Sequence, residues 1–398
     1  MTTQRIDLTN TRGEKLSARL ELPLHGRAKS FAVVAHCFTC SKDLNALRTI
    51  ARAMTHVGIG VVRFDFTGLG QSEGAFADTT FSSNVDDLVA AARQVEEAWG
   101  PVELLAGHSL GGAAAILAAE QLDGVKAVAT IGAPSKPVHV RQHVEEAIEE
   151  IRREGEAVVE IVGRPFTVRQ EFLDDLETTH LDDVLYNLGR PLLVMHAPRD
   201  EMVSIDHAAK IFEAARHPRS FVSLDGADHL LTDDDQAHYV GQLISSWARR
   251  YVSTESVEEW RADTETGRTA ARTAKGLRTD VIAGGFPLVV DEPRERGGTD
   301  EGPKPHDFLS AGLAACMSIT ARMYADRKGW PMDEVTVHAD YSRVDDGDEG
   351  PVERFDCRIR IDGDLDEEQR RRICKMATRC PVHRTLESQA TVETILEE

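Results

Sequence analysis

Gly107-His108-Ser109-Leu110-Gly111 sets a serine between two glycines, where the apolar run Val102–Gly107 meets a helical stretch that opens at Leu110. In that context a Gly-x-Ser-x-Gly run makes a sharp strand-to-helix turn, and the Ser109 hydroxyl projects above the sheet at a helix N-terminus. A hydroxyl is inert near neutral pH unless a base takes its proton and an acid orients that base. The chain supplies both in the order Ser, Asp, His. Asp200 stands in His196-Ala-Pro-Arg-Asp-Glu-Met-Val203 and His229 in Asp225-Gly-Ala-Asp-His-Leu230, each just past an apolar run. Asp225 and Asp228 compete as the acid, but their closeness to His229 in sequence makes convergence on its ring harder, so Asp200 is expected. A tetrahedral oxyanion needs two backbone N–H donors. Leu110, next after the nucleophile, is one; the other belongs to the loop His36-Cys37-Phe38-Thr39-Cys40-Ser41. His36, His108 and His196 are expected to be structural.

Thiols are the second source of chemistry. Six cysteines in 398 residues are too few for a secreted disulfide scaffold, which leaves core thiols, metal ligands or catalytic thiols. Cys37 and Cys40 make a Cys-x-x-Cys without the second Cys/His pair that a structural zinc site wants. They read as members of a tight loop, with a reversible disulfide that distorts the oxyanion loop as the redox alternative. Cys380 precedes a helix whose first position is Pro381, so the positive helix end should lower its pKa. Cys316 lies midway along the apolar run Phe308–Ala325. Cys357, inward-facing on a strand, and Cys374, on a helix, read as core thiols. No feature calls for a metal or an organic cofactor.

These residues need elements to hold them. Ser30–His36, Ile59–Asp65, Val102–Gly107, Val125–Ile131, Pro191–His196 and Ser220–Leu224 are near-continuous apolar runs, as central parallel strands require. Helical periodicity fills the intervals at Leu44–His56, Ser83–Trp99, Leu110–Gln121, Asp206–Ala215 and Asp234–Arg250. Such alternation predicts a doubly wound α/β sheet over residues 1–252, with Arg5–Thr9 and Leu16–Leu22 as an antiparallel edge hairpin. The interval 134–190 breaks the rhythm with a charged helix (Val138–Glu154), a hairpin (Ala157–Val162 with Pro165–Val168) and another helix. It predicts a functional cap at the carboxyl ends of the strands. Residues 253–276 are polar and read as a linker. From 277 to 398 the pattern is α+β: a hairpin around Gly284-Gly285, alternating strands near Val335–Tyr341 and Phe355–Ile361, and further helices at Asp366–Thr378 and Pro381–Gln389. Phe308–Ala325 is apolar around most of its circumference and predicts a buried central helix.

Composition excludes some partners. With 41% hydrophobic and 28% charged residues the chain is globular, and a net charge of −21 repels nucleic acid and anionic lipid. The opening residues hold no apolar h-region and nowhere do eighteen apolar residues run together, so the cytoplasm is expected and no membrane partner is.

Residues 1–252 resemble the α/β-hydrolase superfamily, especially its small-ester, cinnamoyl esterase-like branch. That branch usually reads His-Gly-Phe-Thr-Gly where this chain has His36-Cys37-Phe38-Thr39-Cys40, and shares a loop like Asp65-Phe-Thr-Gly-Leu-Gly-Gln-Ser72. The resemblance implies that Phe38 is the second oxyanion donor and that the substrate is a small or medium carboxylic ester, cleaved through an acyl-enzyme. Residues 277–398 resemble the OsmC-like family, which includes organic hydroperoxide reductases, in the run from Gly297 to Cys316, in Met323-Tyr-Ala325 and in Cys380-Pro-Val-His-Arg-Thr-Leu386. It implies a peroxidatic Cys316, a resolving Cys380, an external dithiol reductant and a homodimer through this domain. One departure stands out: where peroxidatic members carry a Glu ten residues before the first Cys, this chain has His306. The thiol activity as the main one, and a domain that only binds and dimerises, are the competing readings.

Overall fold

The apolar runs form strands buried on both faces, except at Ser220–Leu224, where the edge strand is mostly half-buried. In the computed structural model, which describes residues 2–23, 28–161, 164–254, 269–273, 276–345 and 351–396, the strands are β1 (Thr2–Thr9), β2 (Lys15–Leu22), β3 (Ser30–Ala35), β4 (Ile59–Phe64), β5 (Val102–His108), β6 (Ala127–Ile131), β7 (Glu156–Ile161), β8 (Arg164–Arg169), β9 (Leu192–His196) and β10 (Arg219–Ser223). Most of the expected linker 253–276 lies outside the described residues. All but β7 and β8 join one sheet in the order β1-β2-β4-β3-β5-β6-β9-β10. β1 and β2 pair antiparallel, as do β2 and β4, and every later pairing is parallel. The helices of this unit are α1 (Asn45–His56), α2 (Phe81–Ala98), α3 (Leu110–Glu120), α4 (Ile148–Glu154), α5 (Gln170–Thr178), α6 (Asp182–Asn187), α7 (Asp206–Ala214) and α8 (Asp234–Ala248).

Two cores follow from strand pleating. Val33 and Ala35 of β3 enter one with Val85, Leu88 and Ile116, while Ala32 and Val34 enter the other with Ile50, Val240 and Ile244. So α2 and α3 cover one face and α1 and α8 the opposite face, as a doubly wound sheet demands. The loops after β3, β5, β9 and β10 then emerge together at the carboxyl edge, where ligands bind in open α/β sheets.

The cap differs in detail from its sequence pattern. Instead of one helix over Val138–Glu154, a 3₁₀ segment at Pro137–Ala147 leads into the short α4. Pro137 starts it, and Val138, Val140 and Val144 are β-branched, which disfavours a regular α-helix. β7 and β8 then pair antiparallel, and two helices, α5 and α6, follow where one was expected.

The chain divides into two units, Met1–Lys275 with Ile282–Gly285 and Gly276–Val281 with Phe286–Glu398. In sequence, β11 (Thr269–Thr273), β12 (Thr279–Ala283) and β13 (Phe286–Val290) follow. The second unit continues with α9 (Pro305–Lys328), the antiparallel pair β14 (Met332–Asp345) and β15 (Pro351–Gly363), then α10 (Glu367–Ala377) and α11 (Pro381–Glu387). Two expectations are corrected here. α9 is not buried all round: Leu313, Met317, Ala321 and Ala325 form its buried stripe, while Leu309, Ile319 and Met323 are 48%, 60% and 67% exposed. Its length and composition alone would suffice to cross a bilayer, but the stripe packs on Met332, Ile373 and Ala377. Cys357 is exposed: its strand partner Ala339 borders a cavity of about 430 Å³, which Asp307, Ser310, Ala311 and Ala314 of α9 line from the other side.

One buried ion pair fixes the carboxyl edge of the first unit. Lys42 Nζ lies 2.6 Å from Asp65 Oδ2 with both side chains fully buried, and Asp65 also accepts from the backbone N–H groups of Lys42 and Gln71. The loop after β3 is thereby tied to the loop after β4. Removing one partner of such a pair strands the other's charge in the interior. Lys42→Ala should therefore cost about 3–5 kcal/mol, read as a lowered denaturant midpoint at unchanged m-value.

Candidate active site

Ser109 occupies the turn between β5 and α3 with φ +53° and ψ −124°, a backbone state that few non-glycine residues adopt. The flanking glycines serve space rather than dihedral freedom. A Cβ on Gly107 would lie 2.1 Å from the Gly111 carbonyl, and one on Gly111 would lie 2.4 Å from the His36 carbonyl. The first turn of α3 can therefore sit directly on β5 and β3, with the Leu110 amide at the helix start beside Ser109.

Asp200 and His229 meet as the chain order implied. His229 Nδ1 lies 2.7 Å from Asp200 Oδ2, while the other oxygen of Asp200 accepts from the backbone N–H groups of Met202 and Val203 at 2.9 and 2.8 Å. Burial works to raise the Asp200 pKa, but the His229 bond and the two amides outweigh it and hold the carboxyl below its usual value. The competing acids are engaged elsewhere: Asp225 accepts from the Ser223 hydroxyl, and Asp228 from the hydroxyl and amide of Thr232. Since Nδ1 of His229 faces Asp200, Nε2 is the nitrogen left for Ser109, and both residues line one cavity of about 460 Å³.

The loop after β3 borders the same cavity through Cys37, Phe38, Thr39 and Cys40, while Ile161 and Arg164 of the cap hairpin border it from another side. Cys37 and Cys40 are joined as a disulfide. Thr39 takes φ +61°, and the Cys40 N–H donates to the Cys37 carbonyl at 3.2 Å, which closes the turn. The Phe38 ring stacks on Phe172 of α5 at 5.5 Å and tilts against Phe76 at 5.7 Å, so the cap packs on the loop from outside. His36, His108 and His196 are buried and neutral near pH 7, each lowered chiefly by burial and His108 to about 3. They hold backbone: His36 Nδ1 meets the Cys37 carbonyl, His108 Nε2 the His229 carbonyl and His196 Nε2 the Val203 carbonyl.

Two contributors were not drawn from the sequence. Gly132 follows β6 at φ +57°, and a Cβ there would come within 3.4 Å of Asp200 Oδ2 and His229 Nδ1. Its signal is the Ile131-Gly-Ala-Pro134 run at a strand end. The Met202 and Val203 amides anchor Asp200 through a local carboxylate turn, for which Asp-Glu-Met-Val was the available sign.

In the second unit Cys316 packs against the core cluster that holds Cys380. Cys380 is fully buried at the start of α11, where its sulfur accepts from the His383 N–H at 3.3 Å. The expected lowering of its pKa does not occur. Burial pushes the thiol up, and the Cys316 contact adds to this, against the smaller opposing effect of the His383 amide. His306 is exposed and stacks on Tyr341 at 4.4 Å.

Comparison with known proteins agrees with this geometry. The family of serine aminopeptidases, S33, matches residues 28–158, and the OsmC-like protein family matches 298–395. The esterase domain of a Rhodothermus marinus protein is 47% identical, with a TM-score of 0.53, over 64% of this chain and 100% of that domain. The chain is an α/β-hydrolase joined to an OsmC-like domain. Est1E of Butyrivibrio proteoclasticus, solved with ferulic acid, shares the hydrolase fold at 20% identity and TM-score 0.52, covering 62% of this chain and 98% of its own. So does α/β-hydrolase domain-containing protein 10 from mouse, at 17% identity and TM-score 0.53, over 62% of this chain and 99% of its own. A search among curated proteins gives no match.

Within the hydrolase, the hydrogen-bond pattern makes a sharp distinction among the three aspartates. Asp200→Asn should lower kcat for ester hydrolysis by about 10⁴-fold, because an amide cannot stabilise the protonated ring or fix its tautomer. Asp225→Asn should leave kcat near the wild-type value. Steady-state assay of both variants on one chromogenic ester checks the pair.

Proposed function

We propose that residues 1–252 are a serine ester hydrolase acting on small or medium carboxylic esters through a covalent acyl-enzyme. What carries the reading is the 2.7 Å Asp200–His229 bond beside Ser109, in a cavity bordered by the cap. His229 Nε2 takes the Ser109 proton as Oγ attacks the ester carbonyl, and the oxyanion is received by the Leu110 and Phe38 amides. His229 then gives the proton to the departing alcohol, and water repeats the sequence on the acyl-enzyme. A cavity of about 460 Å³ suits an ester of modest size, and its walls are largely apolar, with Phe38, Leu44, Ile161, Met202 and Leu230. Ser109→Ala should abolish hydrolysis of an ester panel, by on the order of 10⁶-fold in kcat. A variant that hydrolyses the panel as well as wild type would refute the reading.

For residues 277–398 we propose thiol-dependent reduction of organic hydroperoxides, supported by the packing of Cys316 against the cluster that holds Cys380. Cys316 as thiolate attacks the peroxide, the O–O bond breaks, an alcohol leaves and Cys316 becomes a sulfenic acid. Cys380 attacks that sulfur and water leaves; an external dithiol then reduces the resulting disulfide. The exposed Leu309, Ile319 and Met323 of α9 favour a homodimer that covers them. Cys316→Ser should eliminate dithiol-dependent consumption of cumene hydroperoxide, followed as peroxide loss, without affecting ester turnover.

A further inference from the structure

We propose that the Cys37–Cys40 disulfide is a thiol–disulfide exchange site that keeps the hydrolase competent, and that a small dithiol entering the substrate cavity lowers turnover by reducing it. The inference rests on the ester-hydrolase reading above and adds a redox control to that site. The loop is anchored at both ends by groups that do not depend on sulfur. Upstream, His36 Nδ1 donates to the Cys37 carbonyl at 2.7 Å. Downstream, Lys42 is held by Asp65 through its amide and its ammonium, and its carbonyl accepts from Arg63, which is itself paired with Glu21. Between these anchors lie Phe38 to Ser41.

The proposed oxyanion donor, the Phe38 N–H, shares a peptide plane with the Cys37 carbonyl. Two hydrogen bonds orient that plane, from His36 Nδ1 and from the Cys40 N–H at 3.2 Å. The second exists because Cys40 is kept over Cys37, and the disulfide keeps it there. Thr39 must hold φ +61° for the turn to close, a state that costs a non-glycine residue on the order of 1 kcal/mol. Once the sulfur link is cut, the turn has a cost and no covalent restraint, so the plane loses one of its two guides. The Phe38 ring remains packed on Phe172 and Phe76, so the loop is loosened around the donor rather than displaced as a whole.

Access sets the chemistry. Cys37 is 4% exposed, whereas Cys40 is half-buried, and both line the cavity with Ser109 and His229. A thiolate of the dithiol attacks Cys40 Sγ, the S–S electron pair leaves on Cys37, and Cys37 takes up a proton. The second thiolate of the reagent attacks its own sulfur bound to Cys40, expelling Cys40, which is protonated in turn. The protein disulfide gains two electrons and the dithiol becomes a disulfide. Attack through the substrate cavity also means that a group fixed on Ser109 shields the sulfurs.

The test is a titration of the full chain with oxidised and reduced dithiothreitol, reading ester turnover and the alkylation of Cys37 and Cys40 by peptide mass spectrometry on the same samples. We expect kcat to fall about tenfold on reduction, less than the loss of a whole oxyanion donor, with KM little changed. The fall should share one midpoint with Cys37 and Cys40 alkylation. Cys37→Gly/Cys40→Gly should give one rate at every potential, while phenylmethanesulfonyl fluoride on Ser109 should slow reduction of the disulfide in wild type. Equal kcat in the oxidised and reduced forms, with activity that Ser109→Ala abolishes, overturns the redox control alone. Activity that survives Ser109→Ala overturns the hydrolase reading and this inference with it.

Discussion

Much of the site's geometry depends on one close approach: the backbone of Gly111 against the carbonyls of Ala35 and His36 at the end of β3. Close packing here does two things at once. It forces the turn before α3 to be tight, which puts the strain on Ser109 rather than on a glycine. It also brings the start of α3 against the strand that feeds the loop Cys37–Ser41, so the two N–H donors assigned to the oxyanion come from neighbouring backbones. A side chain at position 111 would push these elements apart, and no adjustment of Asp200 or His229 could restore the relation.

Asp200 and His229 are held by a different logic, in which burial is opposed by hydrogen bonding. Asp200 is almost fully covered, a setting that favours the neutral carboxyl, and three donors reverse the preference. His229 is held from behind as well, since the neutral His108 ring meets its carbonyl. Gly132 leaves room for both side chains to converge. The site is thus a set of loops fixed by backbone contacts, and the cap adds aromatic packing on Phe38 from outside the sheet.

The parts that could be read from sequence are those written in local pattern. Continuous apolar runs mark the parallel strands, and Ser109, Asp200 and His229 each follow such a run, so their meeting place is legible in the sequence. What was hidden depends on contacts between distant residues. Gly132 looks like any loop glycine until Asp200 and His229 arrive beside it. The 3₁₀ segment Pro137–Ala147 has helical periodicity, but local propensity overrides the pattern. Apolarity around α9 was read as burial, yet one β-pair and two short helices cover a single stripe of it. The helix start at Pro381 signalled an acidic thiol, and the depth of Cys380 reversed the sign.

That reversal separates the two cysteine pairs by physics as well as by position in the chain. Thiol exchange proceeds through thiolates, so a buried thiol with a raised pKa is a poor first attacker and serves better as the group that closes a disulfide on an already oxidised neighbour. Cys380, fully buried in the cluster on which Cys316 packs, is in that position. Cys37 and Cys40 are the opposite case: their bond is already made, and what matters is whether a reagent can reach it, which the substrate cavity permits at Cys40. On the proposed readings, one pair forms a disulfide after meeting an oxidant. The other has one broken, at the loop whose amide is proposed to receive the oxyanion.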